Sequence, residues 1–261
     1  MAGRVEKIMP AVESVYYHSL RPFRALFGTG LPILTYHKLG PRPRHARLKG
    51  LYVSQRLFAR QLGELNQARF ESSSLGKWKE TGSNPNRRVV ITFDDGFRNV
   101  LQFGLEPLAE HNFRAVQFLV AGRLGGRNEW EIGEGEAPAP LMDEAQVRDW
   151  LAAGHEIGSH TLTHPWLTRL PASEAREEIA ASRKKLEDQF GVPIEHFCYP
   201  YGDWNDAVRD LVVAAGYKTA CTTQPGVNTS ANSAFALKRF TARYPSRNLK
   251  AFWFRLRGGA T

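Results

Sequence analysis

Short apolar runs alternate along the chain with longer segments in which apolar residues recur every three to four positions. Six runs have the length and composition of buried strands, at residues 31–36, 89–93, 115–120, 155–159, 195–199 and 218–222. The longer segments predict helices that begin after the capping residues Ser54 and Asp143 and that span residues 100–111, 171–191 and 205–215. Because strands and helices alternate, we expect parallel strands with helices outside, in one barrel-sized domain.

Acidic and histidine side chains stand where two of these strands end. Asp94 and Asp95 follow the run that begins at Val89, and His160 and His164 follow the run at residues 155–159. An α/β barrel gathers residues from the ends of different strands at one rim, so we expect these four side chains to meet there. Two imidazoles and one carboxylate can fill three positions around a divalent metal and leave the fourth for water. The remaining carboxylate could then take a proton from that water.

These strand ends resemble the first two signature motifs of a known family. Thr92-Phe93-Asp94-Asp95-Gly96, Ser159-His160-Thr161-Leu162-Thr163-His164 and the later turn Tyr199-Pro200-Tyr201-Gly202 are similar to motifs of the polysaccharide deacetylases, the NodB-homology domain of carbohydrate esterase family 4. Each motif alone is a weak signal, but their order and their placement at strand ends are specific. The resemblance spans residues 31–243 and implies an α/β fold, a distorted (β/α) barrel of about seven parallel strands with outer helices. It also implies metal-dependent hydrolysis of an N-acetyl group on a sugar.

The resemblance gives each motif residue a role. It implies that Asp94 is the general base and that Asp95, His160 and His164 bind the metal. Zn²⁺ is the default metal, and other divalent transition metals suit the same ligands. The backbone N–H of Tyr201 is expected to help stabilise the tetrahedral oxyanion. An isolated Asp pair can be a simple turn and an isolated HxxxH can arise by chance, so the assignment depends on the motifs together.

Two positions depart from the family pattern. The late stretch around Leu237 lacks the histidine that many members use as the catalytic acid. His37, at the end of the first strand, resembles the N-terminal motif of the poly-N-acetylglucosamine deacetylase branch, so we expect it to be the acid, across the metal from Asp94. Cys198 stands where many members have an arginine that braces the base. We infer that Arg239 replaces this arginine in space and holds Asp94 ionised.

Three tryptophans lie on or next to loops that we expect around the rim: Trp130, Trp166 and Trp204. An indole face suits the apolar face of a pyranose, so these residues and Tyr201 are candidate substrate-binding residues. Each tryptophan taken singly also suits a packing role. Trp130 falls within residues 122–140, a Gly/Pro-rich, acidic stretch that predicts a long surface loop.

The formal net charge of +9 is concentrated at the two ends of the chain. Residues 1–60 hold eleven Lys and Arg against two acids, residues 237–261 hold seven and no acid, and the part between is net negative. We predict a basic N-terminal helical segment at 1–30, the catalytic domain at 31–245 and a basic aromatic helix or tail at 246–261. The basic ends suit solvated tails, an anionic membrane surface or a phosphate-bearing substrate. No motif for nucleic-acid binding accompanies the charge.

The sequence shows neither a signal peptide nor a run long enough to span a bilayer, which predicts a cytoplasmic protein with at most peripheral contact to the inner membrane face. The leading hypothesis is a hydrolase that removes acetyl from an N-acetylhexosamine in an envelope glycan, an exopolysaccharide or a lipid-linked precursor. Its expected partner is therefore a glycan or glycolipid. One alternative is an amidohydrolase of the same fold that acts on a small cyclic amide or imide. The other is a catalytically inactive carbohydrate-binding relative, against which the intact motifs argue.

Overall fold

The computed structural model of the chain describes residues 16–80, 84 and 86–244. The strands are β1 (Leu31–Tyr36), β2 (Lys38–Leu39), β3 (Tyr52–Val53), β4 (Glu71–Ser72), β5 (Arg88–Phe93), β6 (Ala115–Leu119), β7 (Glu156–Ser159), β8 (His196–Cys198), β9 (Thr219–Cys221), β10 (Val227–Asn228) and β11 (Phe240–Thr241). The α-helices are α1 (Arg24–Phe27), α2 (Gln55–Gln67), α3 (Arg98–Glu110), α4 (Glu144–Ala152), α5 (Ala172–Phe190) and α6 (Asp206–Ala214). The predicted strands and helices are thus confirmed to within one or two residues at each end.

The principal sheet has the order β10-β1-β5-β6-β7-β8-β9. Strands β1 to β9 along this order are all parallel to their neighbours, and β10 is antiparallel to β1. The short strand β4 adds to β5, and β2 and β3 form a separate pair. Helices connect most of the successive parallel strands, which is the arrangement expected of βα units.

The segment that contains β11 links the two edges of this curled sheet. Leu237 pairs with Cys221 of β9, and β11 runs parallel to β1 with Phe240 opposite Leu34. Arg239 lies between these two pairings and is buried inside the barrel. The distorted barrel implied by the family resemblance is confirmed.

Side chains of the strands alternate between two apolar faces, as the two-residue period of a strand requires. In β5, Val89, Ile91 and Phe93 join the main core beneath the helices, whereas Val90 joins a separate cluster inside the barrel. The next interior position toward the carboxyl end of β5 is Thr92, which is fully buried. The barrel interior therefore becomes polar as it approaches the rim.

Capping residues determine where the helices begin and end. The Ser54 side chain accepts a hydrogen bond from the Leu57 N–H, and Asp143 forms a reciprocal capping box with Gln146. Helix α5 ends before Gly191, which adopts the left-handed conformation (φ 69°) that favours glycine.

Residues on the N-terminal side of β1 pack against the barrel. Tyr17, Phe23 and Phe27 are buried, and Phe23 and Phe27 contact the ring of Phe240 in β11. Tyr17 also forms a bridge with Ala242. Residues 1–15 of the predicted N-terminal helical segment and the predicted basic aromatic stretch at 246–261 lie outside the described residues.

Cys198 and Cys221 face each other across β8 and β9 as free, buried thiols. Within the part of the chain that the structure describes, no helix has the length and apolarity needed to cross a bilayer.

Candidate active site

The carboxyl ends of the parallel strands bring the predicted polar side chains together at one rim. Asp94 and Asp95 follow β5, His160 follows β7 and His37 follows β1. Asp94, Asp95 and His160 are at most 4% exposed. Because parallel strands all end at the same edge, residues far apart in sequence become neighbours here.

Left-handed backbone conformations determine the direction in which several side chains of the site point. Asp95, His164 and Tyr201 have φ values of 73°, 69° and 59°. Such conformations cost a non-glycine residue on the order of 1–3 kcal/mol and are found mostly where function requires them. Gly96, which follows Asp95, also has a positive φ of 83°, and a Cβ there would lie 3.0 Å from Cδ2 of Leu119. The turn after the Asp pair therefore needs glycine.

Asp95, His160 and His164 form a compact set of three metal-capable residues. The Oδ1 atom of Asp95 lies 3.4 Å from Nε2 of His160 and 3.3 Å from Nε2 of His164. Ligand atoms about 2.0–2.1 Å from a tetrahedral Zn²⁺ ion lie about 3.3–3.4 Å from one another, so these distances fit such an ion. One carboxylate and two imidazoles leave a fourth coordination position open, as in catalytic zinc sites.

Hydrogen bonds orient the ring of His160 and fix the turn before His164. Nδ1 of His160 lies 2.7 Å from the carbonyl oxygen of Cys198. If Nδ1 carries the proton and donates to that oxygen, the Nε2 lone pair is free for a metal. Glu178 accepts hydrogen bonds from the N–H and hydroxyl of Thr163, which fixes the turn before His164. Burial lowers the pKa of His164 and so favours the neutral ring that ligation needs.

A second group of metal-capable atoms, from Asp94, His160 and Cys198, is already committed to other partners. Both carboxylate oxygens of Asp94 accept hydrogen bonds from Arg239, and Nη2 of Arg239 lies 3.1 Å from Sγ of Cys198. Burial raises the pKa of the Cys198 thiol, so this side chain is a poor ligand. The candidate metal site is therefore the one that contains Asp95.

Arg239 holds Asp94 through both carboxylate oxygens. Nη1 donates to Oδ1 at 2.7 Å and Nη2 donates to Oδ2 at 2.8 Å. Three oxygens fix the guanidinium from behind, the carbonyl of Thr222 and the hydroxyls of Thr35 and Thr92. Burial alone would raise the pKa of Asp94, but the guanidinium outweighs it and the pKa lies below its usual value. Asp94 is thus ionised and fixed in orientation, with Arg239 in the bracing position expected for it.

His37 lies beside Asp94. Its Nε2 is 3.8 Å from Oδ2 of Asp94, and its side chain is 20% exposed. His37 and Asp94 are neighbours because the residues before them, Tyr36 and Phe93, are opposite each other in the adjacent strands β1 and β5. Their expected placement on opposite sides of the metal stays a prediction. Burial lowers the pKa of His37, and the nearby Asp94 opposes this shift.

Aromatic rings form one wall of the site. Trp130 stacks on the ring of His164 with centroids 4.6 Å apart, and Trp166 stacks on Tyr201 at 4.1 Å. The ring of Tyr201 meets that of His164 edge to face at 4.5 Å. Trp166 and Tyr201 remain 39% and 38% exposed, so parts of both side chains are accessible to a sugar.

The turn after β8 presents Tyr201 to the site and directs Trp204 elsewhere. Pro200–Gly202 forms a 3-10 turn, and the Tyr201 N–H has no hydrogen-bond acceptor among the described residues. Trp204 stacks on Tyr199, with centroids 5.9 Å apart, and lies outside the lining of the cleft. Of the three predicted sugar-binding tryptophans, the structure therefore brings Trp130 and Trp166 to the site.

Two buried carboxylates, which the sequence pattern did not indicate, hold the 122–140 loop over the rim. Glu131 forms an ion pair with the fully buried Lys38. Glu136 accepts hydrogen bonds from the N–H groups of Arg47 and Leu48 and from the Tyr52 hydroxyl. The prediction of a surface loop is wrong for Glu131 and Glu136, which are 5% and 4% exposed. Nothing in an acidic, glycine-rich stretch marks which carboxylates find buried partners; the one available signal was Lys38 directly after His37.

The site opens into a cleft of about 770 Å³, within the usual range for small-molecule sites. Its lining includes the metal-site residues, His37 and Asp94 at the base and the aromatic wall on one side. Three basic side chains, Arg47, Lys49 and Arg243, also line it.

A family model described as polysaccharide deacetylase matches residues 81–220, more than half of the chain. The matched span contains Asp94, the three candidate metal ligands and Tyr201. His37 and Arg239 lie outside it.

Individual proteins show the same likeness. YxkH of Bacillus subtilis is 24% identical over 213 residues, 80% of this chain and 70% of YxkH. The peptidoglycan-N-acetylglucosamine deacetylase PgdA of Listeria monocytogenes is 27% identical over 145 residues, which are 55% of this chain but 28% of PgdA. The solved structure of the Streptococcus pyogenes deacetylase PplD in complex with acetate superposes with a TM-score of 0.71 at 22% identity and covers 85% of this chain and 97% of PplD. This last likeness is one of fold.

Proposed function

The chain belongs to the polysaccharide deacetylase family, and we propose that it is a metal-dependent hydrolase that removes the acetyl group from an N-acetylhexosamine. The proposed substrate is a bacterial envelope glycan, an exopolysaccharide or a lipid-linked precursor. One observation carries the proposal: the compact metal site lies directly beside Asp94, an ionised carboxylate that Arg239 holds in place. The related PgdA is a peptidoglycan-N-acetylglucosamine deacetylase, which supports an N-acetylated sugar as the substrate.

Asp95, His160 and His164 would hold the metal, with Zn²⁺ as the default. When bound, the ion would supply the positive charge that polarises the acetyl carbonyl and makes water more acidic. The protein keeps the ligands ready for it, because the Cys198 carbonyl oxygen orients His160 and Glu178 fixes the turn before His164.

Asp94 is the proposed general base. It accepts a proton from the attacking water, whose oxygen forms the new bond to the acetyl carbon. Because Arg239 lowers the pKa of Asp94, the carboxylate is ionised at neutral pH and ready to accept that proton. The same bidentate contact keeps the carboxylate from turning away from the substrate.

His37 is the proposed acid. It donates a proton from Nε2 to the amide nitrogen as the carbon–nitrogen bond breaks, which releases acetate and leaves a free amine on the sugar. Because Nε2 lies 3.8 Å from Oδ2 of Asp94, the proton accepted by the base is held next to the group that must be reprotonated.

Backbone and aromatic groups complete the proposed site. The Tyr201 N–H would donate to the oxyanion of the tetrahedral intermediate, and such a donor contributes on the order of 3–4 kcal/mol to barrier lowering. Trp166 and Tyr201 would stack on sugar rings, since both are partly exposed in the wall of the cleft.

The cleft favours a glycan over the small cyclic amide of the alternative hypothesis. Its volume of about 770 Å³ and its exposed aromatic wall exceed what a single small heterocycle would fill. A cyclic imide would instead call for a small, closed pocket. The two hypotheses therefore differ in the substrates that they predict.

Acetate release from purified protein tests the proposal. The substrates are N-acetylglucosamine oligomers, N-acetylated polysaccharide and a cyclic imide, each assayed with metal-loaded, chelated and reloaded protein. We expect acetate from at least one N-acetylated glycan, loss of activity on chelation and recovery on reloading. Turnover of the imide with none of the glycans would support the alternative hypothesis, and bound metal without turnover of any amide would indicate a binding protein.

A further inference from the structure

We propose that the cleft contains an anion subsite, formed by Arg47, Lys49 and Arg243, that binds a phosphate group attached to the N-acetylated sugar. The inference rests on the proposed function, because it specifies the substrate class of the same site. All three side chains line the cleft that also contains His37 and Asp94. A phosphate on the substrate would therefore lie within the same cleft as the reacting amide.

The loop between β2 and β3 concentrates positive charge at this wall. Residues 40–50 contain five cationic or titratable basic side chains and no acid: Arg42, Arg44, His45, Arg47 and Lys49. Of these, Arg47 and Lys49 line the cleft. Like charges gathered on a cleft wall focus the field and attract anionic ligands.

Hydrogen bonds hold the backbone of this loop in place at Arg47 and Leu48. The buried carboxylate of Glu136 accepts the N–H groups of Arg47 and Leu48 at 2.7 and 2.9 Å. Both bonds use the backbone and leave the Arg47 guanidinium available. The side chain of Arg47 packs beside Gly135, where a Cβ would lie 3.0 Å from its Cδ.

Arg243 reaches the same wall from the segment that follows β11. Its guanidinium lies 3.8 Å from the ring centroid of Tyr16, and a Cβ at Gly50 would lie 2.7 Å from its Cζ. Arg243 is thus packed against the basic loop, next to Lys49. Its Nε is buried and has no hydrogen-bond partner, so the side chain has donor capacity that the protein itself does not satisfy.

Most acidic side chains of the cleft are paired with a cation or belong to the candidate metal site. The side chains of Arg47, Lys49 and Arg243 have no acidic partner among the described residues. Glu131 is paired with Lys38, Asp94 is paired with Arg239, and Asp95 belongs to the metal site. Glu134 is the remaining acidic residue in the lining. Across residues 16–80, 84 and 86–244, no carboxylate forms an ion pair with any of the three subsite cations. A neutral glycan would leave them without a role, whereas guanidinium and ammonium groups are the usual ligands of phosphate.

Matched substrates test the subsite. The first is an N-acetylglucosamine trimer, the second is the same trimer with a phosphate at its reducing end, and the third carries that phosphate as an ester of a short prenyl chain. kcat/KM for each is measured with metal-loaded wild-type protein, Arg243→Gln, Lys49→Gln and the control Lys184→Gln. Lys184 is 76% exposed on α5 and lies outside the cleft lining.

The ratio of kcat/KM for phosphorylated over neutral trimer is the readout, because it does not depend on the fraction of folded protein. We expect this ratio to exceed one in the wild type and to fall about tenfold in Arg243→Gln and in Lys49→Gln, as the loss of a hydrogen bond to a charged group requires. The control should keep the wild-type ratio. Both phosphorylated substrates should share the preference, since the phosphate is the recognised group.

Three results would overturn the subsite: a wild-type ratio near one, a ratio unchanged by both cleft substitutions, or a preference confined to the prenylated substrate. Each of these leaves the proposed deacetylation intact, because the neutral trimer still releases acetate. Absence of acetate from all three substrates would instead count against the proposed function. Binding of the phosphorylated trimer by calorimetry, in wild type and Arg243→Gln, would then decide the subsite separately.

Discussion

Asp94 depends on one residue that reaches it from far along the chain. Arg239 is 145 positions later and donates to both of its oxygens, with its own guanidinium fixed by Thr35, Thr92 and the Thr222 carbonyl. A motif position that usually carries the brace is occupied by Cys198, and the sulfur lies 3.1 Å from Nη2 of Arg239. The arginine therefore comes from the segment before β11 rather than from β8, yet it contacts the base carboxylate.

The pH profile should show this dependence. Arg239→Gln removes the group that lowers the pKa of Asp94 and leaves burial, which raises it. As the pH decreases, kcat/KM of the metal-loaded variant should therefore fall at a higher pH than in the wild type. Arg209→Gln is the control and should keep the wild-type profile, because Arg209 is a half-buried arginine of α6 that pairs with Asp206 and Asp210 and lies outside the cleft lining. An acid limb that does not move in Arg239→Gln would assign the base to a group other than Asp94.

Replacing the base itself should cost stability as well as turnover. Asp94→Asn leaves the charge of Arg239 buried without its partner, and breaking a buried pair in this way costs about 3–5 kcal/mol. The three metal ligands remain, so metal should still bind while acetate release is largely lost.

The stability difference should also depend on pH in a definite direction. Because the pKa of Asp94 is lowered in the folded state, its contribution is fully present above the unfolded value of about 3.9 and is lost as the pH falls through the folded value. The difference in unfolding free energy between wild type and Asp94→Asn, measured by denaturant titration, should therefore be largest near neutral pH and should shrink in strong acid. Equal stability of the two proteins at pH 7 would show that the ion pair contributes little.

At the scale of elements, the 122–140 loop is tied down at two points. The Lys38–Glu131 ion pair joins it to β2, and Glu136 joins it to the basic loop and to Tyr52 of β3. Next to the first of these points, Trp130 stacks on the candidate metal ligand His164. The loop is therefore part of the site's wall, and its position depends on two carboxylates whose burial the sequence pattern does not indicate.

A double-mutant cycle measures the strength of the Lys38–Glu131 ion pair. Lys38→Met and Glu131→Gln should each destabilise the protein by about 3–5 kcal/mol, because each leaves an uncompensated charge or polar group in a buried position. The double variant should lose less than the sum of the two, since it removes both members of the pair. Unfolding free energies from denaturant titration check this. Additive losses would show that the two side chains are not coupled.

For the whole molecule, the sequence predicts the regular strands and helices of the barrel but not the short strands that close it. Alternating apolar runs and caps such as Ser54 and Asp143 predict the helices and parallel strands, because local spacing determines them. The short strands β10 and β11 have two residues each and no periodicity, so only tertiary pairing with β1 defines them.

The candidate site likewise contains residues that the sequence predicts and contacts that it does not. The candidate metal ligands could be predicted because they lie shortly after two strands whose pattern is clear, Asp95 after β5 and His160 and His164 after β7. The neighbouring placement of His37 and Asp94 follows from the pairing of β1 with β5, which the order of residues in a sequence does not specify. The buried partners Lys38 and Glu131 are 93 positions apart and carry no joint signal.

A proposed peripheral contact with an anionic membrane concerns residues 246–257, outside the described part of the chain. If this basic aromatic stretch binds membrane, the full chain should bind anionic vesicles, and the binding should weaken as salt is added. Each Lys or Arg near the membrane surface contributes about 1 kcal/mol, and salt screens this attraction. A variant that lacks residues 246–261 should bind vesicles less and should still hydrolyse a short soluble substrate. Vesicle binding that salt and truncation leave unchanged would remove this proposal.

The proposed function depends on a metal held by Asp95, His160 and His164. Its most direct test is a titration of chelated protein with Zn²⁺, in which bound metal and acetate release from an N-acetylglucosamine oligomer are measured on the same samples. We predict that activity rises in proportion to bound metal and saturates at about one equivalent per chain, and that folded His160→Gln neither retains the ion nor releases acetate. Full acetate release from metal-free protein, or wild-type metal binding and turnover in His160→Gln, would contradict this proposal.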